Sequence, residues 1–254
     1  MRLAVVAAAG LVALTSITAA QTGRRDTPVP FAVGETLTYD VTYSSYLVAG
    51  TAVSKVEGRR SVSGASSYYI VVEGRPIPML ASLYSLFYRM ETFLDAATLL
   101  PHRSVLNVQE GVRKRTSRTM FDRTANRAFF EVETSEGKDQ FTFDVPQQIQ
   151  DGLSALYVFR TMSIKQGDTF SLPVADEGSL YRVNAKVGAP ERLAVPLGTF
   201  DAVPLNVSVV DEEGKPAANN AAIWISTDSR RLPLKMQADL TVGTFVLLLR
   251  TATP

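Results

Sequence analysis

Thr36-Leu37-Thr38-Tyr39-Asp40-Val41-Thr42-Tyr43 alternates apolar and polar residues without a break. In an extended chain Leu37, Tyr39, Val41 and Tyr43 therefore share one face, and Thr36, Thr38, Asp40 and Thr42 the other. That is a strand with one buried side. The same period of two returns at Phe141, Phe143 and Val145, and at Tyr181, Val183, Ala185 and Val187. Its longest run is Leu232, Leu234, Met236, Ala238, Leu240 and Val242. Between the runs, Glu57-Gly58, Glu136-Gly137, Leu197-Gly198-Thr199, Asp211-Glu212-Glu213-Gly214 and Val242-Gly243 read as turns. Short connections join antiparallel neighbours, because a parallel pair needs a longer crossover. The fold class that follows is mainly β: one domain, built as a strongly curved antiparallel sheet or incomplete barrel. One or two helices are expected at the concave face, since a sheet with one apolar face must cover it.

Two segments can supply those helices. Asp151 is placed to cap a helix running through Leu153, Leu156, Tyr157 and Arg160 to about residue 162. Residues 78–90 carry Leu80, Leu83, Tyr84 and Phe87 at helical spacing, in a stretch apolar nearly all round. Two readings fit this second segment. It is either a helix plugged into the sheet as ordinary core, or a lid over an apolar cavity in which Leu80, Leu83, Tyr84 and Phe87 contact a lipid or acyl chain.

The chain starts with one basic residue, Arg2, an uncharged apolar run from Leu3 to Leu14, and small residues up to Thr18-Ala19-Ala20. This is the order of a secretory signal peptide cleaved before Gln21, and the run is too short for a comfortable membrane span. The expected organisation is a signal peptide over 1–20, a flexible polar lead-in over 21–30 and a β-rich domain over 31–254. The expected location is the periplasm, with no transmembrane span in the mature chain. The full chain has 26 basic and 25 acidic residues; loss of Arg2 with the signal leaves the mature chain balanced, which argues against a nucleic-acid partner. There is no cysteine, so disulfides, thiol nucleophiles, thiolate metal sites and a lipidated cysteine are all excluded.

Catalytic signals are sparse. His102 is the single histidine and has no companion at metal-ligand spacing. No G-x-S-x-G pentapeptide and no phosphate-binding or dinucleotide loop occurs, so no cofactor and no metal is expected. Glu91, Asp95, Glu131 and Glu133 are the carboxylates that a glycan-acting enzyme would pair, and each also fits a solvent-facing strand or turn. Arg113-Lys114-Arg115 with Arg118 reads as a solvated or edge strand, protected by its charges; contact with anionic lipid headgroups is the other reading. Trp224 reads as half-buried core.

Several motifs recur in an order that suggests a family. These are Phe31-x-x-Gly34-Glu35-x-Leu37-x-Tyr39, Glu91-Thr92-Phe93-Leu94-Asp95 with Pro101, Asp151-Gly152-Leu153-Ser154-Ala155-Leu156-Tyr157, Pro196-Leu197-Gly198-Thr199-Phe200, and Trp224-x-x-x-Asp228-x-x-Arg231-x-Pro233. Together they resemble the domain-of-unknown-function 3108 family of exported bacterial proteins over residues 31–250. The resemblance implies an exported, β-rich protein and carries no activity and no catalytic residue. At the level of fold alone, a curved sheet around a helix also looks like the carriers that move lipids and lipoproteins across the periplasm. The leading expectation is non-catalytic binding of an apolar or amphipathic ligand in the concavity. The alternative is a structural or assembly factor docking another envelope protein, and the third is a carboxylate-dependent enzyme.

Protein recovered from the native cell envelope should begin at Gln21, which an intact-mass measurement checks. A soluble cytoplasmic pool retaining Met1 would overturn the compartment.

Overall fold

The computed structural model describes residues 25–43, 47–83, 85–240 and 243–254. The leader, residues 1–20 with its cleavage site, and Tyr84 lie outside the described residues. The strands are β1 (Thr36–Tyr43), β2 (Leu47–Val62), β3 (Ala65–Pro76), β4 (Leu86–Asp95), β5 (Pro101–Glu110), β6 (Arg113–Asp122), β7 (Arg127–Thr134) and β8 (Gly137–Asp144). After the helix α2 (Gly152–Thr161) they continue as β9 (Thr169–Asp176), β10 (Ser179–Val187), β11 (Glu191–Val195), β12 (Gly198–Asp211), β13 (Pro216–Ser226), β14 (Pro233–Leu240) and β15 (Gly243–Thr253). All belong to one antiparallel sheet in the order β8-β7-β6-β5-β4-β3-β2-β1-β15-β14-β13-β12-β10-β9, with β11 paired to β12. The N-terminal strand β1 thus sits between β2 and the C-terminal β15, and so joins two runs of hairpins.

The sheet curls without closing into a barrel. Its far halves approach through side chains: a Cβ placed on Gly178, in the β9–β10 turn, would lie 2.5 Å from Phe141 of β8 and 3.0 Å from Phe130 of β7. Glu177 in the same turn takes a 2.8 Å ion pair from Arg115 of β6. Only glycine fits such a close approach, and Gly178 also has a φ of +81°.

The concavity holds α2 (Gly152–Thr161). Asp151 caps it, accepting from the Leu153 and Ser154 amides at 2.9 and 2.8 Å, while Ser154 Oγ accepts from the Asp151 amide. The helix packs on both halves of the sheet. Leu153 and Tyr157 join Val56, Ile70 and Leu94 from β2 to β4, and Phe159 joins Ala185, Leu205 and Ile225 from β10, β12 and β13. At its last turn lies a buried ion pair. Arg160 Nη1 and Nη2 donate to the two Glu35 oxygens at 2.6 and 2.8 Å, and the guanidinium also donates to the Arg231 and Arg230 carbonyls. Arg160 is 1% exposed and Glu35 4%.

Four local readings are corrected. The helix at 78–90 is confined to α1 (Pro78–Ala81), and from Leu86 the chain is strand β4, with Met90 opposite Val72 of β3 and Leu106 of β5. A short apolar run fits either period, and pairing on both edges outweighs helical spacing. The basic strand β6 is not an edge but lies between β5 and β7, and Arg118 pairs with Glu131 directly across from it at 2.8 Å. Glu57-Gly58 is not a turn; it sits at a register shift within β2. Of the lead-in, the described residues 25–30 are held where flexibility was expected: Thr27 bonds to Ala96 and Ala97, Asp26 pairs with Arg59 at 2.6 Å, and Val29 packs on the Phe31 cluster.

Breaking the buried pair on one side leaves an uncompensated charge, so Arg160→Met should cost about 3–5 kcal/mol by chemical denaturation. The double variant with Glu35→Gln should recover much of that loss. At the helix start, burial raises the Asp151 pKa, against the lowering by Thr92 and the Ser154 and Leu153 donors. A raised carboxyl gives its stability in full below its ordinary pKa and loses it as pH climbs through the raised value. Asp151→Asn, which keeps a cap acceptor, should flatten that part of the stability-against-pH curve; Asp151→Ala, which strands Thr92, should cost about 1–3 kcal/mol at acid pH and less as pH climbs through the raised value.

Candidate functional site

Two rows of cross-strand partners floor an apolar cleft on the concave face. One row is Leu37, Ser54, Val72, Met90 and Leu106; the next is Tyr39, Ala52, Gly74 and Tyr88. Pro233 and Met236 of β14 and Leu247 of β15 extend the wall, and Gly152, Leu153, Leu156 and Tyr157 of α2 form the roof. The space measures about 390 Å³, within the range of sites that take small molecules. Small residues create it. Ala52 and Gly74 stand where larger strand residues would fill the row, and a Cβ on Gly74 would meet only Tyr88 Cβ, at 3.8 Å.

The polar atoms in this wall are engaged with one another. Ser54 Oγ and Tyr157 Oη share a hydrogen bond of 2.9 Å, and Tyr39 Oη donates to the Pro233 carbonyl at 2.9 Å. Burial pushes the Tyr157 pKa up to about 12, with Arg160 and Ser54 opposing, and raises that of Tyr39 well above its ordinary value. Both phenols stay neutral at any pH at which the protein would work. The cleft thus offers apolar surface and no charge.

Of the residues expected from the sequence to contact a ligand, the described Leu80, Leu83 and Phe87 do not line this cleft. Leu80 is half-buried in the α1 segment, Leu83 is 80% exposed, and Tyr84 lies outside the described residues. Phe87 is adjacent in β4 to the lining residue Tyr88, so it points to the other face, where Arg75 lies 4.6 Å over its ring. The lining residues come instead from seven strands, β1 to β5, β14 and β15, and from α2. Leu153, Leu156 and Tyr157 are recognisable as the apolar stripe of a capped helix; Gly74 and Ala52 leave no trace in a periodicity search.

A larger groove of about 980 Å³ lies at the opposite end of the strands, and it holds Asp95, His102 and Arg123. Its polar groups serve the fold. Asp95 accepts from the Ala97 and Thr98 amides at 2.9 and 2.8 Å and from His102 Nε2 at 3.1 Å, while Arg123 donates to the carbonyls of Pro101 and Gln147. The other carboxylates are likewise engaged. Glu91 takes Tyr69 Oη and Arg89, and Glu131 takes Arg118 and Lys138. The Asp228 side chain accepts from Ser226 Oγ and the Arg230 amide. Trp224 is half-buried, with Lys235 4.2 Å over its ring. Among the described residues no three His, Asp or Glu side chains converge to hold a metal ion, and no helix is long and apolar enough to cross a membrane.

The fold has relatives among solved structures. A β-barrel-like protein of the DUF1849 domain of unknown function from Brucella abortus superposes with a TM-score of 0.57 over 87% of this chain and 97% of its own, at 11% identity. That likeness is one of fold. A candidate lipoprotein from Parabacteroides distasonis aligns over 90% of this chain and all of its own, with a TM-score of 0.36 and 8% identity. A candidate exported protein with a YmcC-like fold from Bacteroides fragilis aligns over 91% of this chain and all of its own, with a TM-score of 0.37 and 10% identity. No match is found among curated proteins. The sequence family described as "Protein of unknown function (DUF3108)" matches residues 38–250, and the chain belongs to that family.

Proposed function

We propose that this is an exported, non-catalytic protein of the cell envelope that holds an apolar or amphipathic small molecule in the cleft under α2. The observation that carries this reading is a 390 Å³ space walled by aliphatic and aromatic side chains whose few polar atoms are already bonded to one another. A site meant for a charged or reactive substrate would aim unpaired donors, acceptors or titratable groups into the space. Leu80 and Leu83, in the connection just beyond the end of β3, are assigned to the approach to the cleft rather than to its wall, and Phe87 to neither. Docking of another envelope protein on a free strand edge is the less favoured reading. The edge strand β8 carries Lys138, Asp139 and Asp144, charges that discourage strand addition.

Gly74→Leu tests the proposal directly. The position has an ordinary backbone conformation and open space in front of it, so the new side chain should enter the cleft without strain. Binding of an environment-sensitive fatty-acid probe should weaken by about tenfold or more, equivalent to about 1.4 kcal/mol, while thermal stability stays level or rises. Failure of the wild type to bind the probe, or equal binding by the variant, would sink the cleft as the binding site.

A further inference from the structure

Three stretches of the chain carry no charge at all: residues 41–54, between Asp40 and Lys55; residues 76–88, between Arg75 and Arg89; and residues 240–249, between Asp239 and Arg250. They are far apart in sequence. The sheet order β4-β3-β2-β1-β15-β14 makes them neighbours, and in every case the uncharged stretch spans the connection at the same end of the strands. The other connections at that end differ: Glu136, Glu177 and Asp211-Glu212-Glu213 all put acids there. Among the described residues, the uncharged end also carries the three most exposed large apolar side chains. Val112, at the β5–β6 tip next to this group, is 96% exposed, Leu83 80% and Met79 63%, with Val48, Tyr43 and Tyr88 also exposed.

Single exposed apolar residues are ordinary, but a set gathered from adjacent tips marks a surface that meets another apolar phase. Its composition favours a bilayer. The apolar groups stand on separate protruding tips rather than on a flat face, and tyrosines beside them suit the headgroup level. Directly behind Val112, the exposed Arg113 and Lys114 have no ion pair among the described residues, whereas the nearby acid Glu110 accepts from Tyr88 Oη. Cations set just behind apolar tips match an anionic headgroup layer.

We infer that this end of the sheet docks on the surface of an anionic lipid bilayer, with Met79, Leu83 and Val112 entering its apolar boundary and Arg113 and Lys114 meeting its headgroups. The inference deepens the proposed function and rests on it for its purpose. Gly74 and Tyr88 line the cleft, each two residues from the ends of β3 and β4 that carry these tips, so a ligand drawn from the bilayer would enter at the docked end.

The test uses the mature chain from Gln21 and vesicles of phosphatidylethanolamine and phosphatidylglycerol, with sedimentation as the readout and no added ligand. The wild type should sediment with the vesicles and be released by salt. A triple variant, Met79→Asp, Leu83→Asp and Val112→Asp, changes only exposed positions, so its melting temperature should hold while partitioning falls about 100-fold or more. Arg113→Gln with Lys114→Gln should reduce partitioning about tenfold and weaken its salt dependence. The Arg113→Gln, Lys114→Gln variant, which leaves the cleft and its approach untouched, should bind the monomeric fatty-acid probe as the wild type does, which separates failure of docking from failure of the cleft. Wild type left in the supernatant, or a triple variant that partitions like wild type, would overturn the inference. So would a wild-type dimer in sedimentation velocity that the triple variant abolishes, since a second copy would then be what covers the tips.

Discussion

The buried pair between Arg160 and Glu35 is the contact around which the remainder is arranged. It ties the last turn of α2 to the residue before β1 and, through the Arg230 and Arg231 carbonyls, to the turn between β13 and β14. These are the helix, the central strand and the C-terminal half of the sheet. Burying two charges costs several kcal/mol each, and only close geometry with all donors used offsets that cost. Here four hydrogen bonds surround the guanidinium, and the Phe31 and Tyr157 rings lie 5.3 and 5.0 Å from it. The pair is thus a constraint on position: α2 cannot slide along the concavity without stranding a charge.

That fixed helix also explains why a cleft exists. A helix of 10 residues is about 15 Å long, enough to lie beneath about three strands spaced about 4.8 Å apart. The sheet above it has fifteen. Where α2 sits, Leu153, Tyr157 and Phe159 complete dry clusters with the sheet. Beneath Gly152 and Leu156, the floor is made of Ala52 and Gly74, and neither helix nor sheet supplies a side chain to fill the gap. The cleft is the space that a short, anchored helix roofs without filling.

Much of this was legible in the residues. Alternation over residues 36–43 and from Leu232 marked β1 and β14; in β1 the buried face is Leu37 and Tyr39 as read, until the register shift after Val41 buries Thr42 and exposes Tyr43, and Asp151 marked the start of α2. The resemblance to an unknown-function family holds. Residues 78–90 misled because Leu80, Leu83 and Phe87 satisfy helical spacing while Phe87 and Arg89 also alternate with Tyr88 and Met90; local spacing cannot weigh pairing with β3 and β5. Arg113 to Arg118 suggested an edge for a similar reason, since the glutamate that neutralises Arg118 stands on a strand whose adjacency is set by the register.

The sequence by itself determined the fold class, the helix that enters the concavity and the absence of thiol chemistry, because strand period, capping and composition are properties of neighbours along the chain. Only the tertiary structure decided where Glu35, Arg160 and Arg231 meet, which residues wall the cleft, and that three uncharged stretches form one end of the molecule. Those depend on strand order and register, which bring together residues up to about two hundred positions apart; Thr42 Oγ1 donates to the Val246 carbonyl across 204 residues. No local pattern encodes such a distance, because the free energy that selects it is the burial of faces shared between strands remote in the chain.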